Sequence, residues 1–447
     1  MANKTVSLAQ IKLWGARIGA VHWDEDRQVG FFEYDPSFLN SGIEVAPLTM
    51  PLPQQGENQI YSFPGLGKET FKGLPGILAD CLPDKFGNAL IDTWLAQQGR
   101  TKSSFNPVER LCYIGSRAMG ALEFEPRIDR KKLNSAPLQV ESLVHLANDV
   151  LSQRNELNVE MGQEDKSRQE ALNQIIQVGT SAGGARAKAV VAWNQLTNEM
   201  RSGQVDTPDD FEHWLMKFDG VSNNRDKELA DPMGFGIVEF TYSQMAKLAG
   251  INMSECHLFK ENGRSHFMSK RFDRVLLGNG KLEKVHMLTL CGMAHFDFNM
   301  AGAYGYEQGF EVIQKLGLGK STLEEFFRRM IFNVVSRNQD DHTKNIAFLM
   351  DKRGDWSLSP AYDITYSYNP NGDWTSTHQM SINGKREQFD RSDLLAVAKR
   401  FSIMSSRAND MIEQVTTACQ QWLDLAAANG VDPEFAAEIK RHHRLNL

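Results

Sequence analysis

The first part of the chain alternates apolar and polar positions with the period of strands. Ile11, Leu13 and Trp14 are followed by Ile18, Val21 and Trp23, then by Val29, Phe31, Phe32 and Tyr34, with Gly15 and Asp24-Glu25-Asp26 as turns. Residues 45–53 read as extended and proline-interrupted. Residues 71–98 take helical spacing in two pieces, split at Leu82-Pro83-Asp84, and the glycine-punctuated stretch 113–124 predicts strand-turn-strand. A polar, charged stretch at 127–135 marks a boundary. Beyond it, 140–154 predicts a helix, 156–168 a charged mobile loop, and 175–193 two apolar runs around a loop of small residues. A short strand at 214–218 carries Lys217, a helix over 237–249 stops at Gly250, and 265–272 reads as a strand. From Ser321 onward helix dominates. Ser321 and Glu324 have capping-box spacing, and Leu323, Phe327, Ile331 and Val334 fall on one face.

The 447 residues suffice for two or three domains or one large two-lobed unit. Lys and Arg number 49 against 56 Asp and Glu, a net charge of -7, which argues against a chain whose main affinity is for nucleic acid. The five cysteines are scattered with no C-x-x-C, so free thiols in a reducing cytosol are expected. Residues 1–20 lack the apolar core of a signal peptide. No apolar run approaches the roughly 18 residues of a membrane span, so a cytoplasmic protein is expected.

Candidate chemistry concentrates at Asn338-Gln339-Asp340-Asp341-His342-Thr343-Lys344-Asn345. This polar run lies between an apolar helix and an apolar strand at 346–350. A turn and a second short strand then lead to Tyr362-Asp363. A hairpin returns the chain near its start, which would bring Asn345 and Asp363 within reach of one metal ion. Their oxygens are hard ligands of the kind that suit Mg2+ on a nucleotide's phosphates. Asp340 stands five residues before Asn345, the D-x-x-x-x-N spacing of a kinase catalytic loop, in which the Asp takes the attacking hydroxyl's proton. Loop Asp and Asn also serve as caps and turn residues. Asp341 reads as a solvated neighbour, and His342 as an orienting histidine.

A nucleotide site also needs a strand lysine and an acidic partner from a following helix. Lys217 and Glu239 fit, although an edge-strand charge and a helix N-terminal acid are the plainer explanation of each taken alone. The loop from Gly179 to Lys188, with Gly183 and Gly184, has residues small enough for backbone N–H groups to approach phosphates. It matches neither a Walker A loop nor G-x-G-x-x-G, and a flexible hairpin tip is the plain alternative.

From about Ile11 to Ser367 the chain resembles the HipA family of toxin kinases. The resemblance is carried by Leu13-Trp14, Ile18-Gly19, Leu82-Pro83-Asp84, and Gly115-Ser116-Arg117-Ala118-Met119-Gly120-Ala121-Leu122. It is carried further by the loop from Ser181 to Lys188, by Arg271-Phe272-Asp273-Arg274, by Asp340-Asp341-His342-Thr343-Lys344-Asn345 and by Tyr362-Asp363. It implies an α+β, kinase-like, two-lobed fold. A β-rich N-terminal subdomain would span 1–127 and a kinase core 128–447, with a nucleotide-binding lobe to about 285 and a mostly helical catalytic lobe from about 286. It implies an ATP- and Mg2+-dependent serine/threonine protein kinase. Asp340 would be catalytic, and Asn345 and Asp363 would hold metal. Lys217, Gly183, Gly184, Lys188, Glu239, Lys270, Phe272, His342 and Lys344 would lie on the nucleotide, with the strand before Arg271 offering backbone groups to adenine.

Ser181 would be autophosphorylated and the loop thereby ejected. The implied partners are a helix-turn-helix HipB-like antitoxin, operator DNA through that complex, and a protein substrate such as an aminoacyl-tRNA synthetase. The chain departs from the family at Ser269-Lys270, where an acidic residue is common, and at Arg186-Ala187, where Gln-Glu is commoner. Thr180 beside Ser181 offers a second hydroxyl. Two rival readings are a catalytically weak, antitoxin-binding co-repressor module and a metal-dependent phosphohydrolase built on Asp340, Asp341, His342 and Asp363. The basic end at 440–444 reads as a solvated helix tail.

Overall fold

The structure is a computed structural model that describes residues 5–54, 57, 59–128, 137–152, 175, 178–179, 186–204, 207–221, 233–277 and 281–447. The N-terminal alternation builds an antiparallel sheet of order β4-β3-β2-β1-β5: β1 Leu8–Leu13, β2 Ala16–Asp24, β3 Val29–Tyr34, β4 Ile60–Tyr61 and β5 Leu122–Glu125. Val21 pairs with Phe32 and Ile11 with Phe124, which keeps the apolar positions of four strands on one buried face. The predicted strand at the start of 113–124 is instead the end of a helix, Pro107–Ile114. Asn106 and Glu109 form a reciprocal capping box there, and Pro107 takes the first helical position, so local signals win over the glycine pattern.

A second antiparallel sheet has the order β7-β6-β8-β10-β9: β6 Lys188–Asn194, β7 Glu199–Ser202, β8 Glu212–Lys217, β9 Cys256–Glu261 and β10 Arg264–Lys270. Central β6 is buried along its whole length. Its core is shared with two helices that precede it, Lys85–Gln97 through Phe86, Leu90, Ile91 and Leu95, and Val140–Ser152 through Leu143, Val144 and Ala147. Each fully buried Leu, Ile or Phe contributes about 1.5–3 kcal/mol, so this first-part helix is firmly fixed to the second sheet. Helix Phe235–Leu248 packs on β9 and β10 from the other side. A short hairpin, β11 Arg274–Leu276 with β12 Leu282–Lys284, leads on to β13.

β13 His286–Thr289, β14 Ala347–Met350 and β15 Trp356–Leu358 form a small sheet beneath the polar run at 338–345. The predicted hairpin is there, with Phe348 opposite Leu358 and Met350 opposite Trp356. Helices Tyr306–Lys315, Lys320–Ser336, Arg391–Arg400, Ser405–Gln420, Trp422–Asn429 and Pro433–His442 make up the rest of the C-terminal lobe. The expected Ser321/Glu324 capping box does not form. The helix begins at Lys320 with Gly319 as its cap residue, and Glu324 faces Arg407 at 2.9 Å instead. The basic end is solvated only at Arg441, and His442, His443 and Arg444 after it are packed. His443 is buried with Nε2 3.0 Å from the Tyr242 hydroxyl, His442 stacks on Tyr366, and the Arg444 N–H donates to Val335 O. The two histidine rings present an apolar body to these aromatic neighbours. Among the described residues, no helix is long and apolar enough to cross a membrane. All five cysteines are free thiols.

Candidate active site

The left-handed backbone at Asp363 (φ 57°) follows directly from the hairpin and Tyr362. Asp tolerates this conformation better than most residues. It turns the carboxylate toward β8, where Lys217 Nζ hydrogen-bonds Asp363 Oδ1 and lies 2.6 Å from Glu239 Oε1. Glu239 is fully buried near the start of its helix, and Arg186 stands 3.7 Å from its other oxygen while stacking on Phe235. Burial alone would raise the Asp363 carboxyl. Lys217, with Lys188 behind it, outweighs burial and holds it far below the usual carboxylate range. Burial also disfavours the Lys217 ammonium, but Asp363 and Glu239 outweigh it and keep the charge. Three residues drawn from a strand, a helix and a post-hairpin turn thus form one ion cluster.

Asp340 and Asn345 lie on the same cleft, a cavity of about 730 Å³ that Lys188, Lys217, Phe272, Lys344 and Asp363 also line. Trp374 Nε1 donates to Asp340 Oδ1 at 2.7 Å, and Asn345 Nδ2 donates to Asp340 O at 2.8 Å, so the D-x-x-x-x-N spacing closes its own loop. The Asn345 side-chain oxygen is left as the acceptor. His342 Nε2 sits 3.8 Å from Asp340 Oδ1, and its ring tilts against Phe298. Lys344 Nζ lies over the Phe298 ring at 4.9 Å.

Asp341 is not a solvated neighbour. It is 3% exposed and accepts from Tyr306 Oη, His378 Nδ1 and Gln379 N, each at 2.8 Å. Burial would raise its carboxyl, but these partners, His378 first, lower it. That removes Asp341 from the ligand set of the phosphohydrolase reading.

Ser181, Gly183 and Gly184, with Thr180, lie outside the described residues. Lys188 is buried, with Nζ 3.7 Å from Asp84 Oδ2. The Lys270 side chain turns to Glu212 and Glu255, and the backbone N–H groups of Lys270 and Arg271 are already bonded to Glu255 O and His213 O. Phe272 lines the cleft together with Ser269, Lys270 and Arg271, its ring 5.5 Å from that of Tyr362. Arg271-Phe272-Asp273-Arg274 is a buried lock. Arg271 grips Asp273 with two bonds of 2.9 and 2.7 Å, Arg274 adds one of 2.8 Å, and Gly120 N donates to Asp273 Oδ2 at 2.6 Å. Gly120 (φ 76°) lies in the Gly115–Leu122 segment, so two motifs that sequence shows separately are one contact. Trp374, Arg186 and Asp84 were not foreseen as site residues. Asp84 had a readable signal, an Asp after proline at a helix start, whereas Trp374 had none.

The two sheets, the helical lobe and the cleft with its Lys-Glu-Asp cluster define a kinase-like, two-lobed α+β fold. The HipA N-terminal domain model matches residues 9–125, and the HipA-like C-terminal domain model matches residues 180–423. The chain belongs to the HipA family. Its fold is similar to a chain of the solved "Shewanella oneidensis MR-1 Toxin Antitoxin System HipA, HipB and its operator DNA complex", with a TM-score of 0.66 and 16% identity over 97% of this chain and 95% of that one. It is also similar, at 24% identity over 126 residues, to the Sinorhizobium fredii (strain NBRC 101917 / NGR234) protein named "Putative kinase Y4mE". That match spans 27% of this chain and 30% of the length of that curated relative.

Proposed function

We propose that the chain is an ATP- and Mg2+-dependent serine/threonine protein kinase that acts as a growth-inhibiting toxin. The observation that carries this reading is Lys217, whose ammonium meets Glu239 at 2.6 Å and Asp363 at once, on the cleft that Asp340 and Asn345 line. A lysine held between two carboxylates presents a fixed charge to phosphate groups. Asp363 stays ionised, and Asn345 has its amide nitrogen engaged and its oxygen left to accept, so the donor set fits a hard cation. Mg2+, when bound, neutralises charge on the transferring phosphoryl group. Asp340, steadied by Trp374, takes the proton of the attacking hydroxyl. His342 and Lys344 border the phosphates, and Phe272 borders the base.

The block 128–447 acts as the kinase core and 1–127 as the accessory subdomain. Ser181 in the small-residue loop is the autophosphorylation site. A phosphate there adds roughly −1.5 to −2 charges where ATP phosphates would lie, which expels the loop. A HipB-like antitoxin is the partner, with operator DNA reached through it. The full-length likeness in fold to a chain solved with HipB and operator DNA supports this. A translation component such as an aminoacyl-tRNA synthetase is the substrate.

The test is expression without a partner protein. Wild type should arrest growth, and Asp340→Gln and Asp363→Ala should not. Arrest by both variants at wild-type levels would overturn the reading.

A further inference from the structure

Helix Lys320–Ser336 stops at Arg337, whose backbone is left-handed (φ 61°) and whose N–H donates to Asn333 O. A helix stop of this shape favours glycine, because a Cβ there crowds the backbone. A bulky residue stays in such a conformation only where its surroundings over-determine it. Arg337 also stands three residues before Asp340, at the point where the catalytic loop begins. A second left-handed residue, Asp363, lies beyond that loop and its hairpin. Asp363 has its task in the ion cluster, whereas Arg337 has none in the cleft as described so far.

The half-buried Arg337 side chain reaches the segment that follows Asp363. Its guanidinium lies over the Tyr368 ring at 4.3 Å, and its Nε donates to His442 O at 2.9 Å. The His442 ring in turn meets Tyr368 edge-on, 5.1 Å between centroids. Arg337 O accepts from Ser367 N at 3.1 Å, so one residue binds two successive positions, by backbone and by side chain. Past Tyr368 the chain closes a loop, with Asn369 N donating to Thr375 O at 3.3 Å and Gly372 N to Asn369 O at 3.1 Å. Trp374 sits in this loop, and its Nε1 donates to Asp340 Oδ1 at 2.7 Å. Ser367, Trp374 and Thr375 line the cleft with Asp340, and Arg337 stands behind them. The path leaves the chain at Arg337 and returns to it three residues later at Asp340.

We infer that Arg337 is a positioning residue for phosphoryl transfer: by holding Ser367 and Tyr368 it fixes the 369–375 loop, and with it the Trp374 indole that orients Asp340. This rests on the kinase reading of the cleft. It separates two functions within that cleft. Arg337 acts on the proton-accepting side, while the Lys217 cluster, which meets the nucleotide, is held by contacts of its own. Loss of the guanidinium therefore slows transfer and leaves nucleotide binding as it is.

The experiment follows phosphate transfer from Mg·ATP to the full chain by intact-mass spectrometry across ATP concentrations, with Mg·ATP affinity measured by calorimetry. Arg337→Gly suits the left-handed backbone, so the helix stop survives loss of the side chain. Its transfer rate at saturating ATP should fall about 10- to 100-fold, the scale of a small misplacement of a reacting group. Its Mg·ATP affinity should match wild type. Arg337→Lys keeps a cation for the Tyr368 ring without the planar fork and should recover part of the rate. Hydrogen exchange at the Ser367 and Asn369 N–H groups should quicken in Arg337→Gly before any nucleotide is added. Trp374→Phe removes the donor to Asp340, and in that background Arg337→Gly should cost no further rate. A wild-type transfer rate in Arg337→Gly, or strictly additive losses in the double variant, overturns the inference. If Arg337→Gly does not fold, Arg337→Lys and its Trp374→Phe double variant are held to the same two criteria. Absence of transfer by wild type would instead overturn the kinase reading, and this inference with it.

Discussion

Asp341→Asn and Asp340→Asn place the same substitution on adjacent aspartates and should give opposite results. Asp341 is buried and accepts three hydrogen bonds of 2.8 Å, one from a tyrosine hydroxyl, one from a histidine and one from a backbone N–H. Asparagine keeps one acceptor oxygen. Its amide group then faces donors that have nothing to donate to, and a buried carboxylate that accepted three hydrogen bonds is lost. A hydrogen bond to a charged group contributes about 1.5–3 kcal/mol and a buried polar group left unsatisfied costs about 1–3, so the loss is about 3–5 kcal/mol. Unfolding entropy near 60 °C is about 2.1 cal/mol/K per residue, so 447 residues melting as one unit shift by roughly 4 °C. If the C-terminal lobe melts by itself, the shift is nearer about 12 °C. Asp340 is a third exposed and its Oδ1 acceptor survives in asparagine, so Asp340→Asn should melt within about 1 °C of wild type. Thermal melts followed by circular dichroism read both. An Asp341→Asn protein that melts with wild type, or an Asp340→Asn protein that loses several degrees, would refute the division of roles between the two.

Asp273→Asn should destabilise by about 3–5 kcal/mol, because it strands the buried Arg271 and Arg274 guanidiniums; urea unfolding at neutral pH is the check. Lys217→Met should abolish phosphoryl transfer and also lower the melting temperature, since Glu239 and Asp363 are left facing each other; retained transfer contradicts the role given to the cluster. Burial holds His213, His266 and His286 down at about 4 against an ordinary value of 6.5. The unfolded chain therefore takes up protons below 6.5 that the folded chain refuses until about 4, so stability is full above 6.5 and falls across that window. The loss is about 2 kcal/mol per histidine near pH 5. A melting temperature that is flat from pH 7.5 to 5 would rule out neutral buried histidines.

Much of this was readable because each residue's environment is set locally. The N-terminal strands were legible from period-two alternation, since one face of that sheet is buried. The hairpin after Asn345 was legible because its turn separates two apolar runs. The expected pairing of Lys217 with Glu239 needed only a strand lysine and a helix-start acid. What sequence hid was direction and distance. Asp341 sits beside Asp340, but its partners Tyr306, His378 and Gln379 are more than thirty residues away, and nothing local shows that it turns inward. The last turn at His442 and His443 looked solvated because its charge is local, while the aromatic residues that receive it, Tyr242 and Tyr366, are remote. The helix Pro107–Ile114 was a different case. Its capping box was present in the sequence and outranked by the glycines that follow.

The central claim is that this cleft transfers phosphate from ATP to a hydroxyl. Intact-mass spectrometry of purified chain incubated with Mg·ATP tests it most directly. Wild type should gain one phosphate on Ser181, and Asp340→Gln, folded to the same melting temperature, should gain none. Wild type without added mass while Mg·ATP is bound, or an Asp340→Gln chain phosphorylated to the same extent, would contradict the account.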